Sequence, residues 1–290
     1  MDISLELQKQ LLEYQRNEIT ENYIYLNLAK KVKSPENRQV LEQIAQEELR
    51  HYHTFKNYTQ REVKPDWFEV QKYYWISRIF GLTFGVKLME NGEEKAQANY
   101  DQLSEVIPQI DTIMQEENKH EHALLELIDE ERLHYIGSVV LGLNDALVEL
   151  TGALAGFTLA LQNTRLIAMT GLVTGIAAAL SMSASEYLST KSEGQAKDPV
   201  RASFYTGFAY IMTVILLILP YLFFTNYYFC LVCTLAVSVA IIAFFNYYLS
   251  VAQGAPFGSR FLEMIGLSFG VAGFSFFIGF LMRFLFGIEV

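Results

Sequence analysis

The sequence predicts an all-α protein in two parts, a soluble four-helix bundle followed by a membrane domain of five helices. The first observation is the distribution of charge: residues 1–135 hold 16 of the 22 Lys and Arg, 25 of the 32 Asp and Glu, and all five His. The second is that the remaining residues contain five apolar runs. Each run reaches the roughly 20 residues that a helix needs to cross a bilayer. Because this part has too few polar groups to face water, we expect it in a membrane.

The overall composition excludes several classes of protein. A net charge of −10 disfavours nucleic acid as a partner, since binding to phosphates depends on Lys and Arg. The two cysteines, Cys230 and Cys233, lie inside an apolar run, so we expect neither a disulfide framework nor a cysteine-ligated zinc site. We interpret both cysteines as packing residues.

Residues 1–135 are expected to form one domain of four helices with short connections. The predicted helices cover residues 3–33, 35–60, 67–105 and 108–133. Their boundaries carry residues that favour helix starts, namely Ser34 and Pro35, Pro65 and Asp66, and Pro108. Four long helices joined by short loops predict an up-down bundle.

Residues 136–290 are expected to form the second domain, with spans near residues 136–161, 165–189, 204–225, 227–251 and 262–287. Basic residues in the loops predict the orientation. On the side of the N-terminal domain lie Arg132, Lys191, Lys197, Arg201 and Arg260, whereas Arg165 and Arg283 lie on the other side. This excess predicts that the N-terminal domain is cytoplasmic.

A repeated motif marks the candidate site of the soluble domain. Glu48-x-x-His51 on the second predicted helix is echoed by Glu117-x-x-His120 on the fourth. Each motif projects one carboxylate and one imidazole from the same face of a helix. Two such pairs, with one Glu from each of the other two helices, form the ligand set of a carboxylate-bridged di-metal centre. The other helices supply Glu18 and Glu93, and the alternative ligands about one turn or less away are Glu21, Glu90 and Glu94. We expect two iron ions here, with manganese or zinc as alternatives.

Ionisable residues within a span cost a few kcal/mol each and usually mark a functional pathway. Asp145 and Glu149 lie one turn apart on one face of the first span, and Glu149 falls about halfway across. Met182 and Glu186 share a face near the cytoplasmic end of the second span. A thioether beside carboxylates suits a borderline divalent metal such as Fe(II) better than Na⁺ or Mg²⁺. The alternative for Glu186 is a solvated helix end.

Two pairs of glycines have the spacing at which helices approach each other closely in membranes. Gly152 and Gly156 lie on the first predicted span, and Gly171 and Gly175 lie on the second. The two pairs therefore predict a close contact between these two spans.

In the ligand and span motifs the sequence resembles a rubrerythrin or ferritin-like domain fused to a vacuolar iron transporter domain, the arrangement of membrane-bound ferritins. The first resemblance covers roughly residues 5–133 and the second about residues 136–290. The ferritin-like resemblance rests on Glu18, Glu48, His51, Glu93, Glu117 and His120. The transporter resemblance rests on Gly142-Leu143-Asn144-Asp145, Ser181-Met182-Ser183, Tyr187-Leu188-Ser189 and Lys191-Ser192-Glu193.

The resemblance implies a transporter that moves Fe²⁺ or Mn²⁺ out of the cytosol in exchange for protons. It implies a metal path along Asp145, Glu149 and Met182. We expect Glu186 to receive ions from the bundle. Family members work as homodimers, so we expect a homodimer in the lipid bilayer, in the plasma membrane of a prokaryote. The ferritin-like bundle would gather or sense the metal.

Two other functions fit the same residues. The protein could be an enzyme, a ferroxidase or peroxidase like rubrerythrin, with the spans as its anchor. Rubrerythrins often carry a four-cysteine iron site for electron delivery, and residues 1–135 contain no cysteine. The protein could instead be a sensor, in which metal in the bundle gates the membrane domain. Metal flux into sealed vesicles separates a transporter from an anchored enzyme, and flux through a bundle variant without metal ligands tests the sensor.

Overall fold

The computed structural model describes residues 5–97, 107–126, 135–193 and 198–286. Ten helices and no strand occur among these residues, which confirms the all-α prediction. The chain divides into two compact units, residues 1–130 and residues 131–290. Each unit carries five of the ten helices.

The first unit is a helical bundle. In chain order its helices are α1 (Leu5–Ala29), α2 (Pro35–Thr59), α3 (Trp67–Phe80), α4 (Leu82–Gln97) and α5 (Ile110–Glu126). The predicted caps fix two of the starts. Ser34 Oγ accepts a hydrogen bond at 3.3 Å from a backbone N–H in the first turn of α2. Asp66 does the same for α3, at 2.9 Å.

The third helix of the bundle is broken at Gly81, so the prediction of one continuous helix over residues 67–105 is wrong. Gly81 has a φ of +104° and a ψ of 153°, a conformation outside the helical region that glycine adopts readily. Just beyond the break, Gly85 packs against Ser77, and a Cβ on Gly85 would lie 1.9 Å from Ser77 Oγ. The two glycines therefore allow α3 and α4 to approach each other closely.

Two apolar clusters fill the bundle and leave a polar layer between them. One cluster contains Leu11, Tyr14, Phe55, Ile107, Ile110 and Ile113. The other includes Ile24, Tyr25, Leu41, Ile44, Val86, Met89 and Leu124. Along α2 the core stripe is Leu41, Ile44, Glu48, His51 and Phe55, and along α5 it is Ile110, Ile113, Glu117, His120 and Leu124. The candidate ligands thus occupy core positions between two apolar layers.

The second unit contains α6 (Ile136–Leu161), α7 (Thr164–Glu193), α8 (Pro199–Phe223), α9 (Tyr227–Gln253) and α10 (Phe257–Phe286). All five helices are long and apolar enough to cross a membrane, which confirms the five predicted spans. The most extensive helix pairs are α6 with α10, α7 with α8, and α6 with α8. α6 is therefore the central helix of this unit.

Two spans, α8 and α10, begin five residues earlier than predicted, and for α8 a polar cap rather than the apolar run sets the start. Asp198 accepts a hydrogen bond at 2.9 Å from a backbone N–H in the first turn of α8, and Pro199 follows it. Asn226 caps α9 in the same way, accepting from Phe229 N–H at 3.0 Å. Gly254 ends α9 with a φ of +68°, and α10 begins three residues later, at Phe257.

Gly152 and Gly156 of α6 contact α10 rather than α7, so the predicted close contact between the first two spans is wrong for this pair. A Cβ on Gly152 would lie 2.8 Å from Val271 of α10, and one on Gly156 would lie 3.0 Å from the backbone of the same helix. Gly175 of α7 faces α8. Of these four glycines only Gly171, on α7, contacts a residue of α6. Helical spacing identifies a small-residue face but not the helix that covers it.

Candidate metal centre and membrane path

Four ligand-type side chains converge in the polar layer of the bundle. They are Glu18 of α1, Glu48 and His51 of α2, and Glu117 of α5, and one ligand atom of each lies within 4.8 Å of the others. Glu18, Glu48 and His51 are buried, and the Glu117 side chain is 10% exposed. Helix packing therefore brings together ligands from three separate parts of the sequence.

His120 of α5 completes a symmetric arrangement. Glu48 reaches both imidazoles, with Oε2 3.4 Å from His51 Nδ1 and Oε1 3.1 Å from His120 Nδ1. Glu117 does the same, with Oε1 2.9 Å from His51 Nδ1 and Oε2 3.5 Å from His120 Nδ1. The two carboxylates thus lie between the two imidazoles, as bridging ligands of a di-metal centre do. Glu18 lies at one end, with Oε2 3.4 Å from His51 Nδ1.

The outer nitrogen of each histidine is held by a carboxylate from the opposite helix. His51 Nε2 lies 2.8 Å from Glu116 Oε2, and His120 Nε2 is hydrogen-bonded to Glu47. Arg50 lies 3.1 Å from the same Glu116 oxygen. Because the Nε2 atoms are engaged, the Nδ1 atoms are the ones available to the cluster. Sequence reasoning assigned no role to Glu47 and Glu116. Each of them directly precedes the ligand Glu of its own motif, and this repeated position is a signal that could have identified them.

Burial and mutual interaction set the charges in the cluster. Burial raises the pKa of Glu18 well above its ordinary value. The hydrogen bond with His51 opposes this rise only in part, and the negative charges of Glu48 and Glu117 add to it. Burial also acts to raise the pKa of Glu48, but hydrogen bonds with His120 and His51 outweigh it and lower that pKa to about 2. Against the effect of burial, the carboxylates raise the pKa of His120 to about 11 and also raise the pKa of His51. Protonated imidazoles thus balance the carboxylates, and a metal cation binding there would displace those protons.

The unsatisfied atoms of the cluster fit bound metal. Among the described residues, four buried atoms at its centre lie beside opposite charges but not in the geometry of a well-formed hydrogen bond: Glu18 Oε2, Glu48 Oε2, His51 Nδ1 and His120 Nδ1. Each such atom costs roughly 1–3 kcal/mol when it stays unpaired. Metal ions would supply the missing partner to all four. Carboxylate oxygen and imidazole nitrogen are ligands that iron, manganese and zinc all accept.

The remaining predicted ligands of the bundle have different positions. Glu21 is buried one turn beyond Glu18 on α1, but it is not one of the four converging residues. Glu90, Glu93 and Glu94 belong to α4, and their side chains lie outside the described residues. Within the part of the chain that the structure describes, Glu18 is therefore the end carboxylate on the His51 side of the cluster.

In the membrane unit, Glu149 lies halfway along α6 and is exposed on the surface of the single chain. Tyr210 of α8 donates a hydrogen bond from its hydroxyl to Glu149 Oε2 at 2.9 Å. Asp145 lies one turn earlier on the same face of α6. A carboxylate at this depth is costly against lipid, so water or another polypeptide must face it. Sequence reasoning missed Tyr210, because one tyrosine among the many aromatic residues of the spans gives no distinguishing signal.

The other predicted path residues have separate surroundings. Asp145 lines a cavity of about 670 Å³ between α6, α9 and α10, and neither Met182 nor Glu186 lines it. Met182 packs against the apolar cluster formed mainly by α6, α7 and α8. Glu186 accepts a hydrogen bond from Ser138 of α6 at 2.5 Å, so it is a paired residue between two helices rather than a solvated helix end.

The fold and the site together define a class: an integral membrane protein with five candidate spans and a carboxylate–histidine bundle suited to a di-iron site. Residues 11–137 match the family model described as Rubrerythrin, and residues 136–198 match the one described as VIT family. The chain therefore joins a rubrerythrin-like domain to a VIT-family domain, which confirms the resemblance drawn from the motifs. These matches indicate a membrane metal transporter with a metal-binding bundle. No curated protein matched the chain.

Proposed function

We propose that the protein exports Fe²⁺ or Mn²⁺ from the cytosol in exchange for protons. The observation that carries this proposal is the pair of carboxylates, Asp145 and Glu149, on one face of α6 within the segment that matches the VIT family. Two carboxylates one turn apart can hold a divalent cation and, once it leaves, protons. Met182 would favour softer metal ions, and Glu186 would receive ions at the cytoplasmic end of α7.

The proposed orientation places the first domain, residues 1–135, in the cytoplasm, and the second, residues 136–290, in the plasma membrane of a prokaryote. Lys191, Arg201 and Arg260 lie at the ends of α7, α8 and α10 that belong to this side, and basic residues favour the cytoplasm. A homodimer is supported by the exposure of Glu149, because a second copy could cover the carboxylate face of α6 and keep it from lipid.

In this proposal the bundle holds two metal ions and gathers or senses metal before export. Glu48 and Glu117 would bridge the two ions, since each carboxylate lies between both imidazoles. Glu18 and His51 would complete one ion's ligands, and His120 with a glutamate of α4 would complete the other's. Iron supplies one-electron redox chemistry when it is bound at such a centre.

The helix register supports one of the three glutamates of α4 as the ligand. Val86 and Met89 are buried in the apolar core of the bundle. The next position on this stripe of α4 is residue 93, which is seven residues after Val86 and four after Met89. We therefore assign Glu93 as the ligand ahead of Glu90 and Glu94.

A second candidate function, an anchored ferroxidase or peroxidase, is favoured by the burial of the cluster. Glu48 and His51 are each 1% exposed, so a bound di-iron centre would be shielded from bulk water. Oxidation of Fe(II) by the full chain, without metal movement into vesicles, would identify this function.

Reconstitution into sealed vesicles tests the transport proposal, with Fe(II), Mn(II) and Zn(II) compared in the presence and absence of a pH gradient. Asp145→Asn and Glu149→Gln should each reduce flux severely, because each removes a charge from the span. Glu42→Gln is the control, since it removes an exposed carboxylate from α2, outside the segment that matches the VIT family, and should leave flux unchanged. Unaltered flux in both span variants would show that neither carboxylate is needed for metal transport, which contradicts the proposal.

A further inference from the structure

The cavity beside Asp145 contains polar side chains for which the proposed function has no role. Its polar and sulfur-bearing lining residues are Asn144, Asp145, Asn246, Arg260, Glu263 and Met264. We propose that this cavity is a vestibule that binds divalent cations, in which Asn246, Glu263 and Met264 supply ligands from the walls opposite Asp145. The inference rests on the proposed transport function and adds residues of α9 and α10 to its metal site.

The cavity lies at the end of the membrane unit where the chain enters it. α6 begins at Ile136, α9 ends at Gln253 and α10 begins at Phe257, and the cavity is lined by residues near all three of these ends. On α6 the lining extends from Gly137 to Val148, roughly 17 Å at 1.5 Å per residue. This depth is about half of a 30 Å hydrocarbon core. The vestibule would therefore bring ions from the side of the N-terminal domain to the level of Asp145.

The polar lining residues lie at two levels, near the mouth and about halfway along the cavity. Arg260 and Glu263, both exposed, lie in the first two turns of α10. Asn246 lies deeper and is only 6% exposed, and its amide nitrogen donates to a backbone carbonyl of α9 at 2.8 Å. No hydrogen bond among the described residues uses its amide oxygen, which leaves that oxygen available to a ligand in the cavity. The deepest lining residues, Val148 and Leu267, are apolar and would limit passage of a hydrated ion.

The polar side chains within the largely apolar lining favour a metal ion over lipid as the occupant. If hydrocarbon filled the cavity, the charged Asp145 and the amide of Asn246 would face it, at a cost of a few kcal/mol for the charge alone. Carboxylate and amide oxygens suit divalent cations in general, whereas the thioether of Met264 favours softer ions such as Fe(II) over Mg²⁺. Arg260 at the mouth offsets part of the negative charge, so the site would depend on its ligands for affinity rather than on charge alone.

The test uses the full chain in vesicles, with Cys230 and Cys233 replaced by Ser and a single reporter thiol, Val140→Cys, in the cavity wall. We expect a membrane-impermeant thiol reagent, applied on the side of the N-terminal domain, to modify this reporter. Fe(II) under anaerobic conditions should slow the modification at lower concentration than Mg²⁺.

Substitutions of the proposed ligands then separate binding from access. Met264→Leu, which nearly conserves volume, should weaken protection by Fe(II) at least about tenfold, the effect of losing roughly 1.4 kcal/mol. Met282→Leu is the matched control, because Met282 lies on the same helix outside the cavity lining. Glu263→Gln is a second variant at an exposed position where folding is not at risk, and it should also weaken protection.

The outcomes distinguish the vestibule from the transport function. A reporter that stays unmodified would show that water does not reach the cavity and would overturn the vestibule. The same conclusion follows if metal does not slow modification, or if Met264→Leu and Glu263→Gln leave protection unchanged. Metal flux is recorded in the same vesicles. If metal crosses the membrane but does not protect the reporter thiol, the vestibule alone is rejected. If neither the native chain nor the reporter protein without ligand substitutions transports metal, the transport function is rejected.

Discussion

His51 of α2 and Glu116 of α5 lie 2.8 Å apart, and His120 of α5 and Glu47 of α2 make the reciprocal contact between the same two helices. Each helix therefore supplies one imidazole and the carboxylate that orients the imidazole of the other. Outer carboxylates of this kind fix the ring orientation and tautomer of a ligand histidine and increase its basicity. The two motifs thus form one mutually supported site.

Removal of an orienting carboxylate should weaken metal binding without removing a ligand. We expect Glu116→Ala to lower metal affinity by roughly 10–100-fold, the usual effect of losing an outer partner of a ligand histidine. Glu116→Gln should recover part of this loss, because its amide oxygen can still accept a hydrogen bond from His51. Competition with a chromophoric chelator measures the affinity of the full chain.

The control for this experiment is Glu42→Ala, which removes an exposed carboxylate from α2 and should leave affinity unchanged. If Glu116→Ala and Glu42→Ala bind metal equally well, the contact with His51 has no role in the metal centre. The optical or Mössbauer spectrum of bound iron should also change in Glu116→Ala, which a loss of general stability would not produce.

Removal of Glu48 and Glu117, the two carboxylates that lie between the imidazoles, should abolish the proposed metal centre. We expect residues 1–135, expressed alone, to be a soluble helical protein that binds about two metal ions, because the ligand set is that of a di-metal bundle. Glu48→Ala combined with Glu117→Ala should eliminate both tight sites, as measured by equilibrium dialysis. Unchanged stoichiometry in this double variant would contradict the assignment, and Glu36→Ala combined with Glu62→Ala on the exposed surface is the control.

The same double variant in the full chain tests whether the bundle senses or gathers metal. If it does, flux should fall at limiting metal and recover at saturating metal, because a gathering site matters only when metal is scarce. An equal loss at all concentrations would instead indicate damage to the membrane domain, and no loss at any concentration would show that the bundle has no part in transport.

The hydroxyl of Tyr210 should be needed for transport rather than for folding. Tyr210→Phe removes the hydroxyl that donates the hydrogen bond to Glu149 and keeps the aromatic ring. We expect a marked fall in metal flux with nearly unchanged thermal stability, since the carboxylate is exposed and water can replace the lost donor.

Tyr221→Phe provides a matched comparison on the same helix. The Tyr221 hydroxyl is hydrogen-bonded to Thr158 at 2.6 Å in a buried setting without a carboxylate. This variant should lose about 0.5–1.5 kcal/mol of stability and retain flux. The opposite result, with flux lost in Tyr221→Phe and kept in Tyr210→Phe, would remove Tyr210 from the proposed path.

The contact between α6 and α8 should depend on Gly142. A Cβ at this position would lie 2.3 Å from the backbone oxygen of Thr206, so Gly142→Ala requires the two helices to separate. The separation also strains the hydrogen bond from Thr206 Oγ1 to Ser138 O, now 2.9 Å long. We expect destabilisation by about 1–3 kcal/mol, measured by thermal unfolding in detergent.

Gly137→Ala, one turn or so earlier on the same helix, is the control for this substitution. Nothing lies within 4 Å of a Cβ at Gly137, so this change should be neutral or slightly stabilising. Equal unfolding temperatures for the two variants would show that α6 and α8 do not pack as closely as this contact implies.

The sequence alone determined the features that depend on local spacing. Glu48 and His51 share a helix face because they are one turn apart, and the same holds for Glu117 and His120. The number of spans follows from the lengths of the apolar runs, and the start of α2 follows from Ser34 and its hydrogen bond to the first turn. These features require no knowledge of distant contacts, so they could be predicted.

Only the tertiary structure decided which faces meet. The contact between His51 and Glu116 joins residues 65 positions apart, and helical periodicity gives the direction of a side chain but not its partner. The same limit explains why the glycine pair Gly152 and Gly156 was assigned to the wrong neighbouring helix. It also explains why nothing in the spacing revealed that Asp145 faces a cavity between α6, α9 and α10. A partner across a helix interface is set by the packing of whole helices, and that packing depends on side chains far apart in the sequence.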